Sequence, residues 1–194
     1  MTVIFRGSKI KGRKRFSVFL NHCGLTGIAA EIGTHRAAFA VRFLQSWKGK
    51  LLCCIDPWTG GQFDAGPVTQ DERDEYYAKA MKALRPYEDR VKVMRTTSRE
   101  ASLQFDSNYF DFIYIDANHQ YSSVWEDLTL WWPKLRSGGF LAGHDIVMPN
   151  AAFGGCEHWV QSAVMKFAEH NGLEVWLVTE GDSGRPWSYY MIKP

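Results

Sequence analysis

A doubly wound α/β fold, built on one mostly parallel sheet of seven strands, is what this sequence predicts, and three observations carry the prediction. Short apolar runs recur along the chain and end in or beside an acid, at Glu31, Asp56, Asp116 and Asp145, as expected of strands buried on both faces whose ends share one edge. Segments of helical period separate those runs, so each strand is reached by a crossover and lies parallel to its neighbours. The last two runs, Leu173–Val178 and Ser188–Ile192, are joined through Gly181, Ser183 and Gly184 by a connection too short for a helix, so the chain closes on an antiparallel hairpin.

The 194 residues, 45% of them hydrophobic, suit one domain over residues 1–194 with a sizeable core. Residues 1–26 form a basic N-terminal arm and a short helix. Arg6, Lys9, Lys11, Arg13, Lys14 and Arg15 crowd there, and the arm is either a solvated basic face or a clamp over an acidic substrate or a phosphate. Phe16, Phe19 and Leu20 recur at helical spacing within Arg13–His22, a helix placed to cover a pocket. A formal net charge of +2 is too near balance to argue for a nucleic-acid partner. No apolar run approaches a membrane span, and Phe16–Leu20 is too short for a signal-peptide core, so a cytoplasmic protein without a membrane partner is expected. Cys23, Cys53, Cys54 and Cys156 show no metal-type spacing and read as reduced, structural thiols, Cys53 and Cys54 on opposite faces of one strand. Assembly as a homo-oligomer stays open.

The first parallel strand is Ile28–Ile32, followed by Gly33 and a helix carrying Ala37, Ala38, Ala40, Val41, Phe43 and Leu44. A glycine at such a turn lets a ligand approach the main chain, and the helix behind it presents N–H groups, which suggests a nucleotide-like ligand. The dinucleotide fingerprint G-x-G-x-x-G is missing, since the turn has one glycine. Leu51–Asp56 is the second strand, and Asp56 stands where nucleotide-binding folds place a carboxylate for both ribose hydroxyls. Residues 57–68, with Trp58, Gly60, Gly61, Gly66 and Pro67, make a loop long enough to form part of a substrate mouth. Thr69 and Glu72 form a capping box that opens a helix through Leu84, with Tyr76 and Tyr77 toward the core. Val91–Met94 is the third strand, and Thr97 with Glu100 caps the next helix; Ser98 at its start can cap the helix or hydrogen-bond an adenine. Asp111–Asp116 is the fourth strand. Ser123 with Glu126 reads as a further capping box, opening a helix to Leu135. Ser137–Asp145 holds a turn and the fifth strand, which ends in His144 and Asp145. Cys156–His170 is an amphipathic helix closed by Asn171 and Gly172.

The turn motif E-x-G-x-x-x-A, from Glu31 to Ala37, resembles the first motif of the class I S-adenosylmethionine (SAM)-dependent methyltransferases. The block D-F-I-Y-I-D-A-N-H-Q-Y, from Asp111, together with W-W-P-K-L-R-S-G-G-F-L-A-G-H-D, from Trp131, is similar to the bacterial small-molecule methyltransferases of the macrocin O-methyltransferase kind, and more distantly to catechol O-methyltransferase. The resemblance implies a Rossmann-like sheet in the order 3-2-1-4-5-7-6 and transfer of a methyl group from SAM to a hydroxyl or amine of a small molecule, a sugar or a phenol. It implies Glu31, Gly33 and His35 at the methionine end of the cofactor, with Thr34 and Asp116 among the cofactor residues, Asp56 at the ribose, and Ser98 with Arg99 at the adenine. Metal-dependent members bind one Mg2+ at positions that are Asp116, His144 and Asp145 here. His144 departs from that pattern, because imidazole suits zinc, iron or nickel better; another divalent metal, a histidine turned away, or no metal are all compatible with it. Related sugar methyltransferases place an acidic base where Asn118 stands, which cannot serve, so His119 is the base candidate and Asp116 its catalytic neighbour. Trp187 either walls the substrate pocket or packs in the core. Two alternatives remain beside this one: a non-catalytic protein of the same fold that binds SAM or S-adenosylhomocysteine (SAH), and an NAD-linked oxidoreductase of related fold.

Overall fold

The computed structural model describes residues 4–63, 66–146, 157–179 and 187–194. Gly181, Ser183 and Gly184 of the hairpin connection, Cys156, and the side chain of Trp187 lie outside what it describes. The chain runs through β1 (Phe5–Gly7), α1 (Phe16–His22), β2 (Ile28–Ile32), α2 (Ala38–Leu44), β3 (Leu51–Asp56), the hairpin strands β4 (Gly61–Phe63) and β5 (Gly66–Val68), and α3 (Gln70–Leu84). It continues through β6 (Val91–Arg95), α4 (Ser98–Ser102), β7 (Phe110–Ile115), α5 (Tyr121–Trp131), β8 (Leu135–Ile146), α6 (Glu157–Asn171), β9 (Val175–Val178) and β10 (Trp187–Ile192). The main sheet has eight strands where seven were expected, in the order β1-β9-β10-β8-β7-β2-β3-β6. Its seven strands from β6 to β9 stand in the expected 3-2-1-4-5-7-6 order, and β10 is antiparallel to both β8 and β9. A short connection leaves no other pairing open to β10.

Alternation along the central strands explains the two layers of helices. Ala30, Ile32, Cys53, Ile55, Ile113 and Leu141 face a core made with α4, α5 and α6. Their neighbours Ala29, Leu52, Cys54, Phe112, Tyr114 and Ala142 face a second core made with α1, α2 and α3. Strands buried on both sides must be apolar at every position, which is why they read as continuous runs. Cys53 and Cys54 take opposite faces and are free thiols.

Three expectations are corrected. The start of the N-terminal arm is a strand: β1 pairs in parallel with β9, Ser8 N–H donates to Leu177 O at 2.9 Å, and Arg6 pairs with Glu174 at 2.7 Å. Three residues carry no periodicity that could have announced it, and the open edge of β9 supplies the reason for pairing. The Ser123–Glu126 capping box does not form; α5 begins at Tyr121, behind a turn in which Asn118 Oδ1 accepts from Gln120 N–H at 2.9 Å. The boxes at Thr69 and Thr97 do form. Finally, α2 starts one residue late, because Ala37 is left-handed at φ 61° and its N–H donates to Thr34 O at 2.7 Å.

Gly33 is where the site-forming connections cross. It lies at φ 93°, and a Cβ there would stand 2.1 Å from the carbonyl oxygen of Asp116 and 2.8 Å from Ala117 Cα. Gly33→Ala should therefore cost roughly 3 kcal/mol or prevent folding, since left-handed strain and overpacking add. Gly172→Ala, at φ 65° with open space around it, should cost only about 1 kcal/mol. Urea midpoints of the two variants decide it, and equal losses would mean that the crossing is not tight.

Candidate active site

A cavity of about 850 Å³ opens above the C-terminal ends of β2, β3 and β7. The fold brings Glu31, Gly33, Thr34, His35, Asp56, Ser98, Arg99, Asp116 and His119 together on its wall. Glu31 is 1% exposed, and its Oε2 has no hydrogen-bond partner. Burial pushes its carboxyl well above the usual carboxylate range; the Thr34 side chain draws it back, the charges of Asp116 and Asp56 push it up again, and the Ala40 amide in α2 lowers it least. A buried carboxylate on a cavity wall, with one oxygen left without a hydrogen-bond partner, favours a cationic neighbour.

The turn after β2 works differently from its sequence-level reading. The N–H groups of Gly33 and Thr34 both donate to Ile55 O, at 2.8 and 3.3 Å, and that of His35 donates to Asp56 Oδ2 at 2.9 Å. These amides are spent inside the protein, and the glycine serves the close crossing with Asp116 instead. Asp56 Oδ1 accepts from Trp58 N–H at 2.8 Å, so each carboxylate oxygen of Asp56 holds one backbone donor and keeps further lone-pair capacity. Trp58, fully buried, closes the turn by donating from its indole to His35 O at 2.7 Å. Burial, above all, holds the His35 imidazole below its usual range, and Arg36 and Arg73 add to the effect.

On the α4–α5 side, Ser98 Oγ donates to Asp127 Oδ1 and accepts from the Trp131 indole at 2.8 Å. Arg99 pairs with Glu126. Asp127 also lines the cavity and was missing from the sequence reading, because inside α5 it follows no motif; the signal was only an acid on the buried side of an otherwise apolar helix face. Burial raises its carboxyl to about 6 against the pull of Ser98.

Asp116 and Asp145 hold His119 between them. His119 Nε2 lies 3.0 Å from Asp145 Oδ2 and 3.9 Å from Asp116 Oδ1, and the two carboxylates raise its imidazole to about 10. Asp145 takes a left-handed φ of 59°; burial would raise its carboxyl, but His119 and His144 outweigh that and hold it well below the usual range. His144 Nδ1 stands 2.9 Å from Asp145 Oδ1. Arg13, from the turn before α1, reaches Asp116 Oδ2 at 3.3 Å. One ligand atom each from Asp116, His144 and Asp145 lie within 4.8 Å of one another.

A family model described as a methyltransferase domain matches residues 30–146, from β2 to the end of β8, and so takes in every site residue named above except Arg13. This chain belongs to the methyltransferase-domain family. Among solved structures, the methyltransferase domain is similar to an O-methyltransferase from Bacillus cereus in complex with SAH, at 14% identity and a TM-score of 0.65, covering 93% of this chain and 80% of that one. It is similar also to TomG, an O-methyltransferase from Streptomyces achromogenes involved in tomaymycin synthesis and solved with SAM, at 11% identity and a TM-score of 0.66, covering 94% and 80%. At these identities the likeness is one of fold. A curated relative, the uncharacterized protein y4gI of Sinorhizobium fredii, is 25% identical over 155 residues, which are 78% of this chain but only 16% of that protein's length. No helix among the described residues is long and apolar enough to cross a membrane.

Asp127 gives the methyltransferase domain a stability that depends on pH. Its folded-state pKa of about 6 lies above the ordinary 3.8, so the protonated acid favours folding; that contribution is complete below 3.8 and is lost as pH rises through about 6. Asp127→Asn should therefore stabilise the ligand-free protein by roughly 1 to 3 kcal/mol at pH 7.5 and much less near pH 4. Urea unfolding of both proteins at the two pH values measures this, and a difference independent of pH would show that Asp127 is not raised.

Proposed function

We propose that this chain is a SAM-dependent methyltransferase that acts on a hydroxyl of a small molecule. The observation that carries the reading is Glu31, a fully buried carboxylate with an unused oxygen on the cavity wall, where the ammonium of the donor's methionine end would sit. The same carboxylate, at the C-terminal end of β2 and on the cavity wall, disfavours a pyrophosphate there and so weighs against an NAD-linked oxidoreductase. The remaining acceptor capacity of Asp56 suits the ribose hydroxyls, and Ser98, Arg99 and Asp127 line the end assigned to the adenine. SAM and SAH in the neighbouring solved structures support this choice of cofactor.

In the proposed reaction the acceptor oxygen attacks the methyl carbon in line. The carbon–sulfur pair leaves with sulfur, the donor becomes SAH, and the acceptor's proton is taken by a base. His119, on the cavity wall and oriented by Asp145, is the base we assign. That role requires the imidazole to give up the proton that the neighbouring Asp116 and Asp145 carboxylates favour on it. Asp116, His144 and Asp145 offer a mixed oxygen and nitrogen set that fits zinc, iron or nickel better than magnesium. A divalent ion bound there would supply Lewis-acid polarisation of the acceptor oxygen.

Calorimetry with SAH and with NADH tests the cofactor: SAH should bind and NADH should not. Because burial favours the protonated Glu31 and an ammonium favours the carboxylate, SAH binding should release a proton, read as a dependence of the heat on buffer ionisation. Glu31→Gln should abolish that release and weaken SAH by roughly 1.5 to 3 kcal/mol. Unchanged affinity in a folded variant would remove Glu31 from the site.

His119→Ala should lower kcat by roughly 100- to 10,000-fold while SAH affinity is kept. A chelator should abolish turnover without loss of SAH binding if the metal acts, and leave it unchanged if His119 acts alone. Product detection by mass spectrometry over sugar and phenol acceptors gives the rates. Full activity under both treatments would sink this account of the chemistry, and SAH binding without turnover on any acceptor would favour a non-catalytic binder.

A further inference from the structure

The cavity is electrically divided. Its carboxylates come from the strand ends and from α5: Glu31, Asp56, Asp116, Glu126 and Asp127. Arg36 and Arg73 line it too, both held over the Tyr76 ring. Lys14 and Arg42 face the same space from the opposite layer, Lys14 on the turn Arg13–Arg15 that packs beside α2, and Arg42 on α2 itself. Neither makes an ion pair among the described residues, although the cavity they line is rich in carboxylates. Arg13 and Arg99, by contrast, are matched to Asp116 and Glu126. The α2 wall is also aromatic: Phe39 and Phe43 line the cavity, and Phe39 stacks on Tyr114 with ring centroids 3.9 Å apart.

From this division we infer that the methyl acceptor carries an anionic group, a phosphate or a carboxylate, seated by Lys14 and Arg42 over the aromatic wall. The inference rests on the SAM-dependent reading above, which fills the carboxylate side with the cationic donor. An anion near two unpaired cations gains charge-assisted hydrogen bonds without breaking internal ion pairs, and an arginine can grip either group with two donors. The opposed charges of donor and acceptor then draw the two substrates to opposite walls, with the transferred methyl group between them. The crowding of basic residues just before α1 acquires a purpose in this arrangement, since that turn brings Lys14 onto the cavity.

The test uses the full chain saturated with SAH, with inorganic phosphate and acetate as probes, titrated and followed by phosphorus and carbon NMR. At least one of the two should bind saturably, and the one that binds identifies the class of anion. The double variant Lys14→Gln, Arg42→Gln should weaken that binding by roughly tenfold or more while SAH affinity, read by calorimetry, stays the same. Both positions are exposed, so the variant is expected to fold. No saturable anion binding to the SAH-loaded protein, or binding that survives the double variant, would overturn the inference and leave the donor assignment standing. Mutual exclusion of SAH and the anion would overturn it too, since the cations would then serve the donor's own carboxylate. Failure of SAH to bind would remove the donor assignment and this inference with it.

Discussion

The site depends on one backbone contact, the crossing of Gly33 over the Asp116–Ala117 peptide. Parallel neighbours β2 and β7 diverge after their last paired residues, Ile32 and Ile115, and the chain leaving β2 must pass the chain leaving β7. Asp116 N–H donates to Ile32 O at 2.8 Å, which pulls the two connections together and leaves no room for a Cβ at position 33. The same turn is tied on its other side to β3, through Ile55 O and the carboxylate of Asp56. Three strand ends are thereby locked into one rim, and the acids they carry, Glu31, Asp56 and Asp116, converge on one cavity instead of diverging with the twist of the sheet.

That convergence has an energetic consequence. Burial disfavours the charged forms of Glu31 and Asp127, and at Glu31 the neighbouring Asp116 and Asp56 add to it. The chain meets part of this cost with its own cations: Arg13 reaches Asp116, and His119 is shared between Asp116 and Asp145. Among the described residues, Glu31 and Asp127 have no such cationic partner. A cationic ligand relieves the first, so in the proposed function the donor completes an electrostatic arrangement that the fold leaves unfinished, and binding and stability are linked.

Turn chemistry and packing divide the work between the two faces. The α4–α5 face offers matched groups, Ser98 with Asp127 and Arg99 with Glu126, which hold one another in place. On the α1–α2 face, stacked aromatic rings and unmatched cations border open space. A preorganised face suits a ligand that never varies, and an open one suits whatever distinguishes this chain's acceptor. The methyltransferase-domain match begins at residue 30, so α1 and the basic turn before it lie outside the shared portion.

The amino-acid sequence alone determined the layered α/β plan and the antiparallel last strand, because burial on both faces demands continuous apolar runs and a short last connection permits only an antiparallel partner; the strand order was implied by the resemblance to class I methyltransferases. It also determined which acids meet: Glu31, Asp56 and Asp116 each end a strand, and parallel strand ends share an edge. Only the tertiary structure decided what those residues touch. The amides of Gly33, Thr34 and His35 turn inward to β3, Asp127 enters the cavity from within α5, and Phe5–Gly7 becomes a strand because β9 has an open edge. None of these leaves a periodic trace. Periodicity records which way a side chain faces along its own element, whereas hydrogen-bond partners and charge balance are set by segments far apart in sequence that meet only once the sheet has formed.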